Sequence, residues 1–187
     1  MLTKRNLYVL IFVVAVVGLL VVQYQYLRVG LGLAKAQFSD KMDRARENIN
    51  SELSEVNTLT YTLGNAIQKD TSEVNIGLDS LVRASQYYLN DYISYQLSVS
   101  GIDAPFSYTL YSRDSVTYLS SIKPHLKADD NLTYPIQIKG YLPELLDKDV
   151  ILEIGFEDLN KYFLSQIRGL IVPGLLFLLM IVIVVVW

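Results

Sequence analysis

Few side chains in this sequence could perform catalysis, and those that could are scattered. There is one histidine, His125, and no cysteine, and no serine lies in a recognisable nucleophile turn. Asp129-Asp130 and Asp147-Lys148-Asp149 carry oxygen ligands that suit a hard cation, but short acidic runs in loops are usually solvated. We therefore predict no catalytic residues, no metal site and no cofactor. We expect this polypeptide to have no kinase activity of its own, because we find no segment in its sequence that could bind ATP.

Tyrosine is the one enriched residue type with binding chemistry. Fourteen are present, nine of them between Tyr87 and Tyr141. Because tyrosine combines apolar area with a polar tip, the cluster is also compatible with a small-molecule pocket between a helix and a sheet. The candidate lining residues are Tyr88, Tyr92, Tyr108, Tyr111 and Tyr118, with Arg113 to pair a carboxylate or phosphate. The alternative is ordinary packing in core and sheet, with Arg113 a surface turn residue.

Two apolar runs bracket these residues and predict that both ends are anchored in a bilayer. Leu7 to Val22 and Gly169 to Trp187 carry no charge. A bilayer core of about 30 Å requires about 20 helical residues, which predicts membrane helices over 7–27 and 169–187. The first run could instead be a cleaved signal peptide, but bulky residues follow it where small ones would be required. Pro173-Gly174 could be an ordinary helix start or a flexible point.

Charge predicts the orientation. Lys4 and Arg5 precede the first run, and basic residues beside a span favour the cytoplasmic side. Residues 1–6 are therefore expected on the cytoplasmic side of the membrane and residues 28–168 on the opposite side. That central stretch holds fourteen basic and nineteen acidic residues, a net charge of −5, which argues against binding nucleic acid.

The order of elements predicts one α+β domain in the central stretch. Helical spacing favours a nearly continuous stalk helix over 28–68 and a second helix over 72–98. Alternating apolar residues predict about four antiparallel strands within 105–156, and residues 157–168 a helix that leads into the membrane. One row of the stalk repeats every seven residues: Met42, Ile49, Val56 and Leu63. It could form a parallel homodimer or pack on the protein's own sheet and second helix.

The layout resembles the sensor half of two-span bacterial histidine kinases, of the Bacteroidetes type. The segments that carry the resemblance are Gln23-Tyr24-Gln25-Tyr26-Leu27-Arg28, Phe106-Ser107-Tyr108-Thr109-Leu110-Tyr111-Ser112 with Asp114-Ser115, Ile151-Leu152-Glu153-Ile154-Gly155-Phe156 and Tyr162-Phe163-Leu164. The resemblance implies a bacterial inner membrane with residues 28–168 in the periplasm as a PAS-like or Cache-like module. It also implies a homodimer and a small-molecule or periplasmic protein signal. It also implies that the kinase domains lie beyond this chain, in a parent enzyme. A chemoreceptor, a cyclase sensor or a membrane-tethered adaptor without enzymatic output would share the layout.

Overall fold

The fold divides into two compact units. The computed structural model describes residues 4–69, 77–121 and 132–186. A terminal unit joins Met1–Gln37 with Asn160–Trp187, and a central unit comprises Phe38–Leu159. The first helix, α1 (Lys4–Ser54), contributes residues to both units.

The terminal unit contains the apolar segments. Along α1 the side chains from Leu10 to Val22 are almost all exposed, and no acidic or basic residue interrupts them. Among the described residues, α1 is the one helix that is long and apolar enough by itself to cross a bilayer. Helix α5 (Leu159–Gln166) is followed by α6 (Arg168–Val186). Among the described residues, Leu159–Gln166 and Ile171–Ile181 satisfy the same criterion together, as a pair bent by 67°. The second predicted span therefore stays a prediction.

The predicted continuous stalk helix is wrong at its end. α1 stops at Ser54, and a separate helix, α2, spans Thr58–Gln68. Asn57 causes the break because its extended backbone and side chain cap α2: Asn57 Oδ1 accepts from the Thr60 amide at 2.9 Å, while Thr60 Oγ1 accepts from the Asn57 amide at 2.9 Å. Such a reciprocal cap satisfies two amides that would otherwise lack partners at a helix start.

The central unit is α+β, with a four-stranded antiparallel sheet, as predicted. Helix α3 (Leu78–Val99) precedes β1 (Phe106–Ser112), β2 (Thr117–Ser120), β3 (Leu132–Ile138) and β4 (Val150–Phe156). The strand order is β2-β1-β4-β3, so β2 and β3 form the two edges. A short helix, α4 (Tyr141–Leu146), connects β3 to β4 and was not predicted.

One face of the sheet forms the core. Antiparallel register places Tyr108 opposite Ile154 and Leu110 opposite Leu152, and all four side chains are buried. The same face continues on β3 through Ile136 and Ile138. The buried helical side chains complete this core: Phe38, Met42, Ala45, Ile49 and Leu53 of α1, Leu63 and Ala66 of α2, and Leu81, Leu89, Ile93 and Leu97 of α3.

A glycine fits α4 against the end of α1. Gly140 precedes α4 with φ +76°, a conformation that side chains disfavour. A Cβ atom at this position would collide with the backbone carbonyl oxygen of Ser54. The chain can therefore turn from β3 into α4 at this point only with a residue that lacks a side chain.

Both edges of the sheet are irregular. β3 carries Pro135, which offers no amide hydrogen, as expected for a proline in an edge strand. At the opposite edge, β2 is only four residues long, and its pairing with β1 shifts register between Leu110 and Tyr111. A register shift of this kind is a local bulge in the ladder.

Candidate functional site

The predicted tyrosine pocket is divided between the two faces of the sheet. Tyr108 lies on the core face, is 1 % exposed, and donates its hydroxyl to the Gln86 carbonyl oxygen of α3 at 2.8 Å. Tyr111 lies on the opposite face and donates to Glu153 Oε2 at 3.1 Å. Tyr118 of β2 is half-buried. Strand alternation separates Tyr108 from Tyr111, because an odd spacing puts side chains on opposite faces.

The two tyrosines of α3 also differ in environment. Tyr88 is 59 % exposed, whereas a place in the predicted pocket between helix and sheet requires it on the buried side of the second helix, so that placement is wrong. The buried row of α3 instead follows Leu81, Ser85, Leu89, Ile93 and Leu97. Tyr92 is half-buried, and its hydroxyl donates to the Asn48 carbonyl oxygen of α1 at 3.3 Å. The four-residue step of the apolar row excludes Tyr88, which lies one position before Leu89.

Arg113 joins two turns at the surface. Its guanidinium lies 3.3 Å from Asp149 Oδ2, and both side chains are largely exposed. Lys148 Nζ approaches Asp114 Oδ2 at 3.5 Å in the same region. Exposed pairs of this kind contribute at most about 1 kcal/mol. Arg113 therefore has a structural partner, and the role predicted for it in ligand binding stays a prediction.

The predicted dimer stripe is covered by the protein's own core. Met42, Ile49 and Leu63 are each at most 1 % exposed within one chain, whereas Val56 is 73 % exposed in the break between α1 and α2. This matches the second alternative, in which the stripe packs on the protein's own elements. The homodimer stays a prediction, but these three side chains could contact a partner only by leaving the core.

The contact between α1 and the sheet centres on three aromatic rings. Phe38 of α1 packs edge-on against Phe156 of β4, with ring centroids 5.3 Å apart, and against Tyr134 of β3 at 6.0 Å. Tyr134 and Phe156 close the triangle at 5.9 Å. Such pairs stabilise by about 0.5–1.5 kcal/mol beyond the area they bury. We call these three residues the aromatic triangle. Sequence reasoning missed it, although strand alternation places Tyr134 on the same face as buried Ile136.

Four tyrosines, one buried and three half-buried, have a pKa raised toward the neutral form. Burial and, secondarily, the Glu52 carboxylate raise the pKa of Tyr92 to about 12. Burial also raises the pKa of Tyr108, and burial with the Asp43 charge raises that of Tyr134. For Tyr111, burial and its hydrogen bond with Glu153 raise the pKa. These hydroxyls are neutral donors at physiological pH, which suits them to packing rather than to acid–base chemistry.

Within the terminal unit, α1 and α6 approach each other at a glycine. A Cβ atom added to Gly174 would lie 2.7 Å from Oε1 of Gln23. Small residues allow close helix approach in membranes, and amide side chains hydrogen-bond there. Pro173 lies inside α6 beside this glycine.

The interactions found among the described residues are packing contacts and contacts between helices. Within residues 4–69, 77–121 and 132–186, no group of three or more His, Cys, Asp or Glu side chains is placed to hold a metal ion. His125 and Asp129-Asp130 lie outside the described residues. No family model, curated protein or solved structure matches this chain.

Proposed function

We propose that this chain is the signal-input region of a bacterial membrane receptor of the sensor histidine kinase type. The central unit would lie in the periplasm, with α1 and α6 as the two spans and the kinase module outside these 187 residues. One observation carries the proposal: the helix that contains the apolar segment from Leu10 to Val22 also supplies one side of the central core. A change in the core would therefore act on a membrane helix without an intervening linker.

The two parts of α1 support this interpretation with opposite patterns of exposure. From Leu10 to Val22 its apolar side chains are exposed on all sides, as expected for a surface that faces lipid. From Phe38 to Leu53 only one stripe is apolar, and that stripe is buried against the central unit. Exposing the first segment to water would be unfavourable, at about 25 cal/mol for each Å² of apolar surface.

The second anchor and the orientation have separate support. α6 has nineteen residues and, after Arg168, no charged side chain, and the close approach of Gly174 to Gln23 brings it against α1. Lys4 and Arg5 favour a cytoplasmic N-terminus. With two spans, the central unit would then be periplasmic.

A signal would act by changing how the sheet packs on α1. The aromatic triangle is the natural transmission point, because Phe38 is the first fully buried aromatic side chain of α1 on the central unit's side. A ligand or partner that favours one packing arrangement shifts the population toward it. Two protomers moving against each other would carry that shift to the output.

Cysteine labelling tests the topology. The natural chain has no cysteine, so each added thiol reports one position. Ser80→Cys, on an exposed position of α3, is expected to react with a membrane-impermeant maleimide in intact spheroplasts, whereas Thr3→Cys is expected to react only after lysis. Labelling of Thr3→Cys but not of Ser80→Cys in intact spheroplasts would reverse the orientation. Reaction of both thiols before lysis would mean that α1 does not cross the membrane between them, which would contradict the proposed anchor.

A fusion tests the coupling. Residues 1–187 would be joined to the catalytic half of a well-characterised histidine kinase, and autophosphorylation measured in membrane vesicles. Phe38→Leu, which removes a ring from the aromatic triangle, is expected to change autophosphorylation about fivefold or more, the usual size of coupling between sites. Phe12→Leu, the same substitution at an exposed position of the same helix, is the control. Equal activity in both variants and the parent fusion would reject coupling through α1.

A further inference from the structure

A polar groove lies between α1 and the edge strand β3, away from the predicted tyrosine pocket. Its volume is about 360 Å³, at the small end of the range for ligand sites. From α1 it is lined by Asp43, Arg46, Glu47 and Asn50. From β3 and the residue that follows it, the groove is lined by Ile136, Gln137 and Lys139. All seven residues belong to the central unit.

The charges in this groove are balanced but do not pair with one another. Arg46 and Lys139 supply two positive charges, and Asp43 and Glu47 supply two negative ones. Among the described residues, no nitrogen of either cation lies within 4.0 Å of a carboxylate oxygen. Asp43 and Glu47 lie one helical turn apart, where like charges repel. The groove thus keeps opposite charges apart, with room between them.

The amides add hydrogen-bonding capacity at the same place. Asn50 Oδ1 is buried and has no hydrogen-bond partner, which is uncommon for an atom of this kind. Asn50 lines the groove, and its side-chain amide can both donate and accept hydrogen bonds. Gln137 lies exposed on β3 and can both donate and accept.

We propose that this groove binds a small zwitterion of the amino-acid or short-peptide class. The carboxylates Asp43 and Glu47 would receive its ammonium group, and Arg46 with Lys139 would receive its carboxylate. Asn50 and Gln137 would pair with its amide or other polar groups. A ligand of either single charge would satisfy one pair of residues and repel the other, which favours a molecule that carries both charges.

The groove's position would let such a ligand act on α1 directly. Four of its residues lie on α1, and Lys139 is followed by Gly140, whose backbone lies against Ser54 at the end of that helix. Bound ligand would therefore bridge α1 and β3, the two elements that also contribute Phe38 and Tyr134 to the aromatic triangle. This signalling consequence depends on the proposed receptor function, whereas binding itself does not.

Isothermal titration of the full chain in lipid nanodiscs tests the binding. The probes are the twenty free amino acids and trialanine, each titrated separately. The highest probe concentration is about 10 mM, which is about ten times the weakest Kd of interest, roughly 1 mM. At least one probe is expected to bind saturably. Its N-acetylated form, which lacks the ammonium, and its C-terminal amide, which lacks the carboxylate, are expected to bind about tenfold more weakly or worse. Absence of saturable binding by all probes, or equal binding of the blocked forms, would overturn the proposal.

Two variants locate the site with a matched control. Arg46→Gln and Glu47→Gln each remove one charge from the groove and are expected to weaken the best probe about tenfold, since each leaves a ligand charge unpaired. Arg44→Gln, on an exposed position of the same helix outside the groove, is expected to leave binding unchanged. Because the three side chains are exposed, equal thermal unfolding of all variants checks that folding is intact. Unchanged binding in both groove variants would place the ligand elsewhere and refute the site.

The two proposals fail in different ways. Binding without any effect on the autophosphorylation of the kinase fusion would preserve the groove site and reject the signalling role. An active, packing-sensitive fusion whose chain binds none of the probes would preserve the receptor role and reject the zwitterion site.

Discussion

The two parts of α1 place similar residues in opposite environments. Between Leu10 and Val22 the helix is apolar on every side and exposed, whereas between Phe38 and Leu53 it is apolar on one stripe and buried. The pattern of apolar residues alone distinguishes the two parts, because an all-round apolar helix requires an apolar solvent and a striped one requires a protein partner. The two parts of one helix therefore present different surfaces, and substitutions of one type should have unequal effects along it.

The largest expected difference is between two isoleucines of α1. Ile49→Ala removes a fully buried side chain and should lower the free energy of unfolding of the central unit by about 2–5 kcal/mol. Ile11→Ala, at a position that is 57 % exposed, should change it by less than about 0.5 kcal/mol. Urea unfolding in detergent micelles, followed by near-ultraviolet circular dichroism of the tyrosines, measures both. Equal losses would show that the two parts of α1 unfold as one unit.

Two glycines, one packed against the end of α1 and one within α1, should respond differently to alanine. Gly140→Ala introduces a Cβ atom into the Ser54 carbonyl and imposes a left-handed backbone on alanine, so a loss of about 2 kcal/mol or more is expected. Gly32→Ala, within α1 and with open space around it, should be neutral or stabilising by up to about 1 kcal/mol. The same urea titration compares them. If Gly140→Ala proved neutral, α4 would not need its close approach to α1.

High pH should weaken the buried part of the molecule. Because burial raises the pKa of Tyr108 in the folded state above its unfolded value of about 10, the folded state retains a proton that the unfolded chain releases. Its contribution is complete below about pH 10 and is lost as the pH rises from there through the folded pKa. Tyr108→Phe should therefore make the decline in stability between about pH 10 and 11 shallower, by up to about 1.4 kcal/mol per pH unit.

The control for this pH effect is Tyr88→Phe. Tyr88 is an exposed tyrosine of α3, and its substitution by phenylalanine removes a hydroxyl that lies outside the core. Parallel slopes for Tyr108→Phe and Tyr88→Phe would contradict the burial of the Tyr108 hydroxyl.

The smallest expected effect concerns the break that ends α1. Asn57→Ala removes the side chain that caps α2 and should cost about 1 kcal/mol. Asn48→Ala, at an exposed position within α1, should cost nothing or stabilise slightly, because alanine is the better helix former. Thermal unfolding of the two variants, side by side, measures the difference. A stabilising effect of Asn57→Ala would indicate that α1 and α2 can merge into the single helix that the sequence pattern favours.

Much of the fold follows from periodicity. The four strands lie within the predicted range, because alternation of apolar residues is directly visible from Phe106 to Tyr111 and the run from Val150 to Phe156 is the most apolar of the stretch. The apolar helix at the N-terminus is equally visible. These features depend on local pattern alone, which the sequence displays without reference to distant residues.

The remaining features depend on single caps and on contacts between distant residues. The break after Ser54 depends on one cap at Asn57 that overrides a helical pattern running through it, and α4 is too short to display a period. Composition groups the tyrosines together, but the pleat of the strand places Tyr108 and Tyr111 on opposite faces of the sheet. Pairing of the groove residues across α1 and β3 requires the folded chain, since nearly ninety residues separate Glu47 from Ile136.

The irregular edges of the sheet affect how neighbouring copies of the protein can associate. Copies of a chain anchored in one bilayer, as we propose for this one, diffuse in two dimensions and collide far more often than molecules free in solution. A long, regular edge strand would pair with the edge strands of neighbouring molecules and form a continuous sheet. At one edge of the sheet, Pro135 of β3 has no amide hydrogen to donate to a neighbouring strand. At the other edge, β2 is only four residues long, so it offers few backbone groups for pairing. Neighbouring molecules can then meet repeatedly without polymerising.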